Sequence, residues 1–330
     1  MTENACTLFG EICREDVPTA GGKGANLGDM VQAGLPVPPG FVICAQAYRK
    51  VAEDCGLDAR INALLAELDY TSARGLKKAE REIRALFADI PLNGDLCAAI
   101  LHRYGAMGAD RATSANEGCP AGVRVAVRSS ATAEDLAGAS FAGQQETILN
   151  VTGADDLLDA VLRCWSSLYT SQAIFYRHQR GFDGTQVSMA VVVQQMVDAE
   201  KSGVIFTVDP VTRNRFNMVI EAVWGLGEGV VSGALTPDHY KLDRETYEVL
   251  HAFVPRKPLM YTRGGDGHGV MKSEVPPDRV SARVLTDAEL RELVDLGNRI
   301  EEHFGCPQDI EWGIEGGRVY LLQSRPITCL

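Results

Sequence analysis

Hydrophobic positions along this chain recur with two periods, and glycine and proline mark the places where one gives way to the other. Polar and glycine-rich residues 21–24 precede an amphipathic stretch over 25–33, which Gly34 stops. Pro36, Pro38, Pro39 and Gly40 then impose a turn before the apolar run 41–44. The order predicted is short strand, glycine-rich turn, helix, proline turn, strand. Residues 46–104 are rich in Ala, Leu, Glu and Arg at helical spacing, as at Ile61, Leu64, Leu65 and Leu68, and predict a helical subdomain. A polar stretch over 106–122 reads as a linker, after which Val123, Val125 and Val127 alternate as in a strand. Helical spacing returns over 154–180, and 187–193, 204–208, 218–222 and 319–322 are strand candidates. The late helix has the fullest signal: Thr286 with Glu289 forms a capping-box pattern, and Leu290, Leu293, Val294, Gly297, Ile300 and Phe304 trace one face. The mixture of α and β lacks a regular βαβ alternation, which disfavours a simple Rossmann fold.

Composition narrows the class without naming a function. At 330 residues, 45% hydrophobic and 23% charged, the chain is a globular protein large enough for two or three subdomains, and disordered or fibrous classes are excluded. A net charge of -12 argues against broad binding to nucleic acid or to an anionic membrane, so any phosphate site has to be built locally. The first residues carry no basic segment followed by an apolar one, and no run of about 18 apolar residues follows. A cytoplasmic location is the expectation. The nine cysteines are scattered, odd in number and free of C-x-x-C spacing, which predicts buried thiols rather than zinc sites or disulfides.

Three segments hold residue types suited to phosphate chemistry. In Gly21-Gly22-Lys23-Gly24, absent side chains let backbone N–H groups approach an anion and Lys23 supplies a mobile charge; a plain turn with a solvated lysine has the same spelling. In the run from Val127 to Asp135, Arg128 can grip phosphate oxygens in a fork, with Ser129, Ser130 and Thr132 as hydroxyl donors. The same run also reads as a helix start, with Glu134 and Asp135 favouring its N-terminus. Residues 138–147, small and hydroxyl-bearing, suit either a flap over phosphates or a surface turn.

The C-terminal segment, 309–326, reads as a hairpin turning at Gly316-Gly317, with Asp309 and Glu311 on one face and Ile310 and Trp312 on the other. Paired oxygen ligands beside phosphates suit Mg²⁺, which takes one or two carboxylates and keeps several waters; a solvated acidic edge is the plainer alternative. Register separates the possibilities. With a two-residue turn Glu311 meets Leu322, whereas a longer loop or a bulge pairs Glu311 with Gln323 and Asp309 with Arg325. Asp209 and Glu221 belong to core strands and the loops beside them, and the glycines near 225–229 lack the frame of a dinucleotide fingerprint. None of the six histidines has the small, hydroxyl-rich setting expected of a phosphate carrier.

Taken together, GGKGANLGDM, GLPVPPGF, VAVRSSATAEDL, SFAGQQET, VVVQQMV, SGVIFTVDPVT, GLGEGVVSG and DIEWGIEGGRVYLLQSRPIT resemble, in the same order, the nucleotide-binding domain of phosphoenolpyruvate synthase, pyruvate phosphate dikinase and rifampicin phosphotransferase. The resemblance spans essentially the whole chain. It implies an α+β fold of the ATP-grasp type, the nucleotide held between two mixed α/β subdomains with an additional helical segment. The expected divisions are 1–120 (glycine-rich and helical), 121–195 (first ATP-grasp subdomain) and 196–330 (second, with the C-terminal hairpin). The resemblance makes Lys23 and Arg128 phosphate ligands, and places Gly143 and Thr147 in the phosphate flap and Gln194 beside the adenine. It assigns Glu311 and Gln323, with Asp309 alongside, to Mg²⁺ or to ribose and phosphate oxygens. The same resemblance implies that Arg325 stabilises phosphoryl charge.

In such enzymes ATP gives its β-phosphoryl to a histidine on a swivelling domain, with release of AMP and phosphate. Family members continue past the hairpin into a histidine domain and an acceptor-binding domain, whereas this sequence stops at Leu330. The partner expected is therefore a protein carrying those domains, either in trans, as in the split arrangement of phenylphosphate synthase, or in a full-length parent. A regulatory subunit that binds ATP without turnover is the alternative from another class. An ATP-dependent carboxylate ligase on the same fold matches these motifs less well.

Overall fold

The computed structural model describes residues 5–92, 94–109, 123–132, 146–180, 188–265, 267 and 269–328. The chain forms two compact units, one of residues 1–28 and 39–196, the other of residues 29–38 and 197–330.

β1 (Cys6–Leu8), α1 (Val17–Gln32), whose residues up to Gly28 belong to the first unit, and β2 (Gly40–Ile43) follow the predicted opening. Gly21 interrupts α1 with φ 69° and ψ 170°, so the helix restarts at Gly22 instead of after Gly24. At its other end Gly34, at φ 67°, lets Leu35 N–H reach back to the Met30 carbonyl, a Schellman-type stop. The helical stretch resolves into α2 (Ala45–Asp54), α3 (Leu57–Ala66), α4 (Ala73–Ala88) and α5 (Gly94–Ala109). β3 (Val125–Ala131), β4 (Thr147–Val151), α6 (Ala154–Ser166), α7 (Ser171–Arg180) and β5 (Met189–Gln195) complete the unit. α6 and α7 occupy the stretch where helical spacing was expected over 154–180.

The five strands form an antiparallel sheet in the order β1-β2-β5-β3-β4. Because side chains alternate across a strand, one face carries Phe41, Ile43, Val125, Val127, Val191 and Val193. These pack into a core with Ile83, Phe87, Leu157 and Trp165 from the helices. Ala126, Arg128, Ser130, Val192 and Gln194 point to the opposite face. Cys164 of α6 lies within the core, its sulfur 3.7 Å from the Val127 carbonyl oxygen and 3.9 Å from that of Glu146. Among the described residues no cysteine forms a disulfide.

The second unit contains β6 (Lys201–Phe206), β7 (Asn217–Trp224), α8 (Glu228–Val231), β8 (Asp238–Asp243), β9 (Val249–Phe253), β10 (Leu259–Arg263) and β11 (Val270–Glu274). α9 (Asp287–Phe304), β12 (Gln308–Glu315) and β13 (Arg318–Pro326) follow. Six strands make an antiparallel sheet in the order β13-β12-β6-β7-β8-β9, and β10 and β11 form a separate hairpin. Thr286 and Glu289 make the predicted capping box on α9, and Glu289 also binds Lys201 at 2.6 Å. That helix covers the sheet face bearing Ile205, Met218, Ile220 and Ile310, with Gly297 close to Met218 and Ile205.

Candidate functional site

The described predicted site residues of the first unit lie along β3. Lys23 lies in the first turn of the restarted helix, where a cation opposes the helix macrodipole at a cost of about 0.3–1 kcal/mol. Its Nζ donates to the Ser129 carbonyl at 3.2 Å. The Gly24 N–H donates to Ser130 Oγ at 3.1 Å, and that hydroxyl donates to the Ala20 carbonyl at 2.9 Å. Ser130 thus caps the helix from a neighbouring strand. Arg128 is buried, and the register places Thr147 opposite it. Gln194 lies on the same sheet face, opposite Ala126. It is 2% exposed, and its Nε2 finds no hydrogen-bond partner among the described residues. Gly143 lies outside the described residues.

The three hydroxyls read as phosphate donors are committed elsewhere. Ser129 Oγ donates to the Glu146 carbonyl at 3.1 Å, Ser130 to Ala20, and Thr132 Oγ1 to the Ser188 carbonyl at 3.1 Å. They brace the backbone.

In the second unit the hairpin answers the register question with a bulge. The tip is a two-residue Gly316-Gly317 turn that pairs Glu315 with Arg318 and Trp312 with Leu321. The register shifts between Glu311 and Trp312, leaving Leu322 as the extra residue, so Glu311 pairs with Gln323 and Asp309 with Arg325. All four polar side chains therefore share one face, while Ile310 and Trp312 are fully buried on the other.

Arg325 donates to Asp309 Oδ2 from Nε at 2.9 Å and approaches it with a terminal nitrogen at 2.7 Å. Burial raises the Asp309 carboxyl above its usual value, with Arg325 pulling against it and Glu311 adding to it. The row on this face continues from Glu311 through Val204 to Glu221 and His239, an extension missed in sequence because the order of strands is not written there. Asp209, by contrast, is a fold residue. It receives N–H bonds from Val211 and Thr212 and pairs with Lys241 at 2.7 Å. Burial works to raise its pKa, but these partners outweigh it and hold the carboxyl well below the usual carboxylate range.

No group of three or more His, Cys, Asp or Glu residues among the described residues makes a metal cage. A donor set of Glu311, Gln323 and Asp309 is instead the kind Mg²⁺ takes when substrate phosphates complete its shell.

Two antiparallel sheets, each backed by helices on one face and carrying charged or amide groups on the other, define a nucleotide-binding α+β fold of the ATP-grasp type. Within that class, the chain belongs to the family described as pyruvate phosphate dikinase, AMP/ATP-binding domain, whose model matches residues 17–330. It is 49% identical over 327 residues to the probable phosphoenolpyruvate synthase of Methanothermobacter thermautotrophicus, covering 98% of this chain and 46% of that protein. It is 41% identical over 361 residues to the phosphoenolpyruvate synthase of Pyrococcus furiosus, covering 98% of this chain and 43% of that protein. The rifampicin phosphotransferase of Bacillus cereus is 38% identical over 323 residues, with 98% of this chain and 36% of that protein covered. The chain thus spans less than half the length of these relatives. No helix among the described residues is long and apolar enough to cross a membrane.

Proposed function

We propose that this chain is the ATP-binding, phosphoryl-donating part of a dikinase-type phosphotransferase. ATP gives its β-phosphoryl to a histidine on a separate protein or on another part of a longer parent, and AMP and phosphate leave. The observation that carries this reading is the bulged hairpin, which turns Glu311, Gln323, Asp309 and Arg325 to one face. Lys23 and Arg128 in the first unit add the positive charge that a triphosphate requires in a chain of net charge -12.

Phosphoryl transfer depends on positioning and on neutralising charge more than on covalent chemistry by the protein. In this reading Lys23, Arg128 and Thr147 bind phosphate oxygens, with Gly143 contributing to the same flap. The buried Gln194 Nε2, without a hydrogen-bond partner among the described residues, fits a ligand with hydrogen-bonding edges, such as adenine. Arg325 stabilises charge on the phosphoryl group in transit. Glu311 and Gln323, with Asp309 alongside, would hold Mg²⁺, which supplies charge neutralisation and orientation of the triphosphate when bound. The setting is cytoplasmic, and the partner carries the phosphohistidine and acceptor-binding domains.

The test is incubation of the chain with Mg²⁺, β-³²P-labelled ATP and a protein carrying a histidine domain of this family. Acid-labile label on that protein together with AMP is the expected result, and Arg325→Ala should lose transfer far more than ATP affinity. Tight ATP binding with no transfer to any such partner would instead make the chain a nucleotide-binding regulatory subunit.

A further inference from the structure

Glu146 immediately precedes Thr147 at the start of β4, and it is held from two directions. Its carbonyl oxygen accepts two hydrogen bonds from Ser129, from the N–H at 3.0 Å and from Oγ at 3.1 Å. Its two carboxylate oxygens are taken one each by arginines from different helices. Arg84 Nη1 of α4 donates at 3.1 Å, and Arg163 Nη2 of α6 at 2.9 Å. Beyond Arg84 the row continues to Glu80 at 3.4 Å, and Glu80 accepts the Ser171 N–H at 3.0 Å. Glu80, Arg84, Glu146 and Arg163 therefore alternate in charge across the helical layer.

On the side away from the helices, each described phosphate-binding candidate of this unit is within two steps of Glu146. Thr147 is its chain neighbour and lies opposite Arg128. Ser129, bonded to the Glu146 carbonyl, follows Arg128 in sequence and accepts Lys23 Nζ on its own carbonyl at 3.2 Å. A shift of residue 146 would move all three. Isolated half-exposed ion pairs add little stability, so two guanidinium groups on one carboxylate have more effect here as a geometric constraint than as a source of stability.

We infer that Glu146, clamped by Arg84 and Arg163, is a positioning residue that sets Lys23, Arg128 and Thr147 for phosphate. Both carboxylate oxygens are occupied by the arginines, so its effect reaches a nucleotide through its neighbours. The inference rests on the ATP-binding reading above.

The experiment is calorimetric titration of ATP into the chain as it stands and into Glu146→Gln, Arg163→Met and the Arg84→Met/Arg163→Met pair, with urea denaturation of each. Glu146→Gln keeps the carbonyl bonds and the side-chain volume while removing the charge. Affinity is expected to fall about tenfold for Glu146→Gln and for the double variant, with little change in the unfolding midpoint, since small misplacements of binding groups are costly. Combining all three changes should cost no more than either set alone, because all break the same clamp, and Glu146→Asp should recover part of the loss. Arg163 is half exposed, so its variant remains readable if Glu146→Gln fails to fold. A purely structural role would shift the midpoint and leave the affinity of the folded chain unchanged, and that result overturns the inference while the reading of the site stands. If the unaltered chain binds no ATP, or if Lys23→Met leaves ATP binding intact, the reading itself fails and the inference with it.

Discussion

Gly21 shows how narrowly a single position can be specified. Its φ of 69° with ψ of 170° lies where L side chains are rarely found, and a Cβ there would sit 2.3 Å from both the carbonyl and the hydroxyl oxygen of Ser130. Gly21→Ala should therefore destabilise the chain by about 2 kcal/mol or more, from backbone strain and from the contact it forces. Urea denaturation would show this as a lower midpoint; an unchanged midpoint would mean that α1 is not broken at this residue. The importance of the glycine segment was legible in the sequence, but its purpose was not. Read as either an anion cradle or a plain turn before a helix starting after Gly24, it is a helix restart at Gly22 whose Gly24 N–H donates to Ser130. Ser129, Ser130 and Thr132, which the sequence offers as donors, each donate to a backbone carbonyl. A hydroxyl beside an arginine spells a phosphate site and a backbone brace alike, and only the position of the nearest carbonyl distinguishes them.

Among the elements, α9 was the most legible, because its cap, apolar stripe and stop all agree. Glu289 serves it twice, accepting the Thr286 N–H at 2.7 Å and binding Lys201 of β6. Glu289→Ala removes half of the capping box and one partner of a largely buried pair, so a loss of roughly 1–3 kcal/mol is expected in thermal or urea unfolding. A loss below a few tenths of a kcal/mol would show that neither contact matters. The hairpin β12–β13 was legible as a hairpin, and its two possible registers were countable. The bulge itself could not be located, because the extra residue falls in the apolar run Tyr320-Leu321-Leu322, where the contrast between faces is absent. β8 escaped for the opposite reason. Its inward positions include Asp238, which is fully buried between Lys257, the Tyr240 hydroxyl and the Val284 N–H, so a charged residue stands where alternation calls for an apolar one. β9, with every residue exposed, gave no contrast at all.

At the scale of the whole molecule, acid stability should depend in part on Asp209. A carboxyl held below its unfolded pKa of about 3.9 gives its full stabilisation above that value and loses it as pH falls through the lower folded-state pKa. The stability difference between the unaltered chain and Asp209→Asn should therefore be constant near neutrality and shrink below about pH 4. Urea titrations across that range would read it, and a difference that stays constant down to pH 3 would count against the Lys241 pairing. Which strands neighbour which was also a whole-molecule property. The row that joins Glu311 to Glu221 and His239 runs across strands distant in sequence, so period and composition alone could not have assembled it.

Cys164 turns burial into a clock. Its thiol is sealed between α6 and β3, and burial raises its pKa, so the reactive thiolate is both hidden and scarce while the fold is closed. A thiol-alkylating reagent can reach it only during excursions that part the helices from the sheet, so its labelling rate reports how often that layer opens. Because the sulfur also lies against the Glu146 carbonyl, any ligand that steadies residue 146 should slow the clock, and mass spectrometry of the alkylated chain would show the slowing.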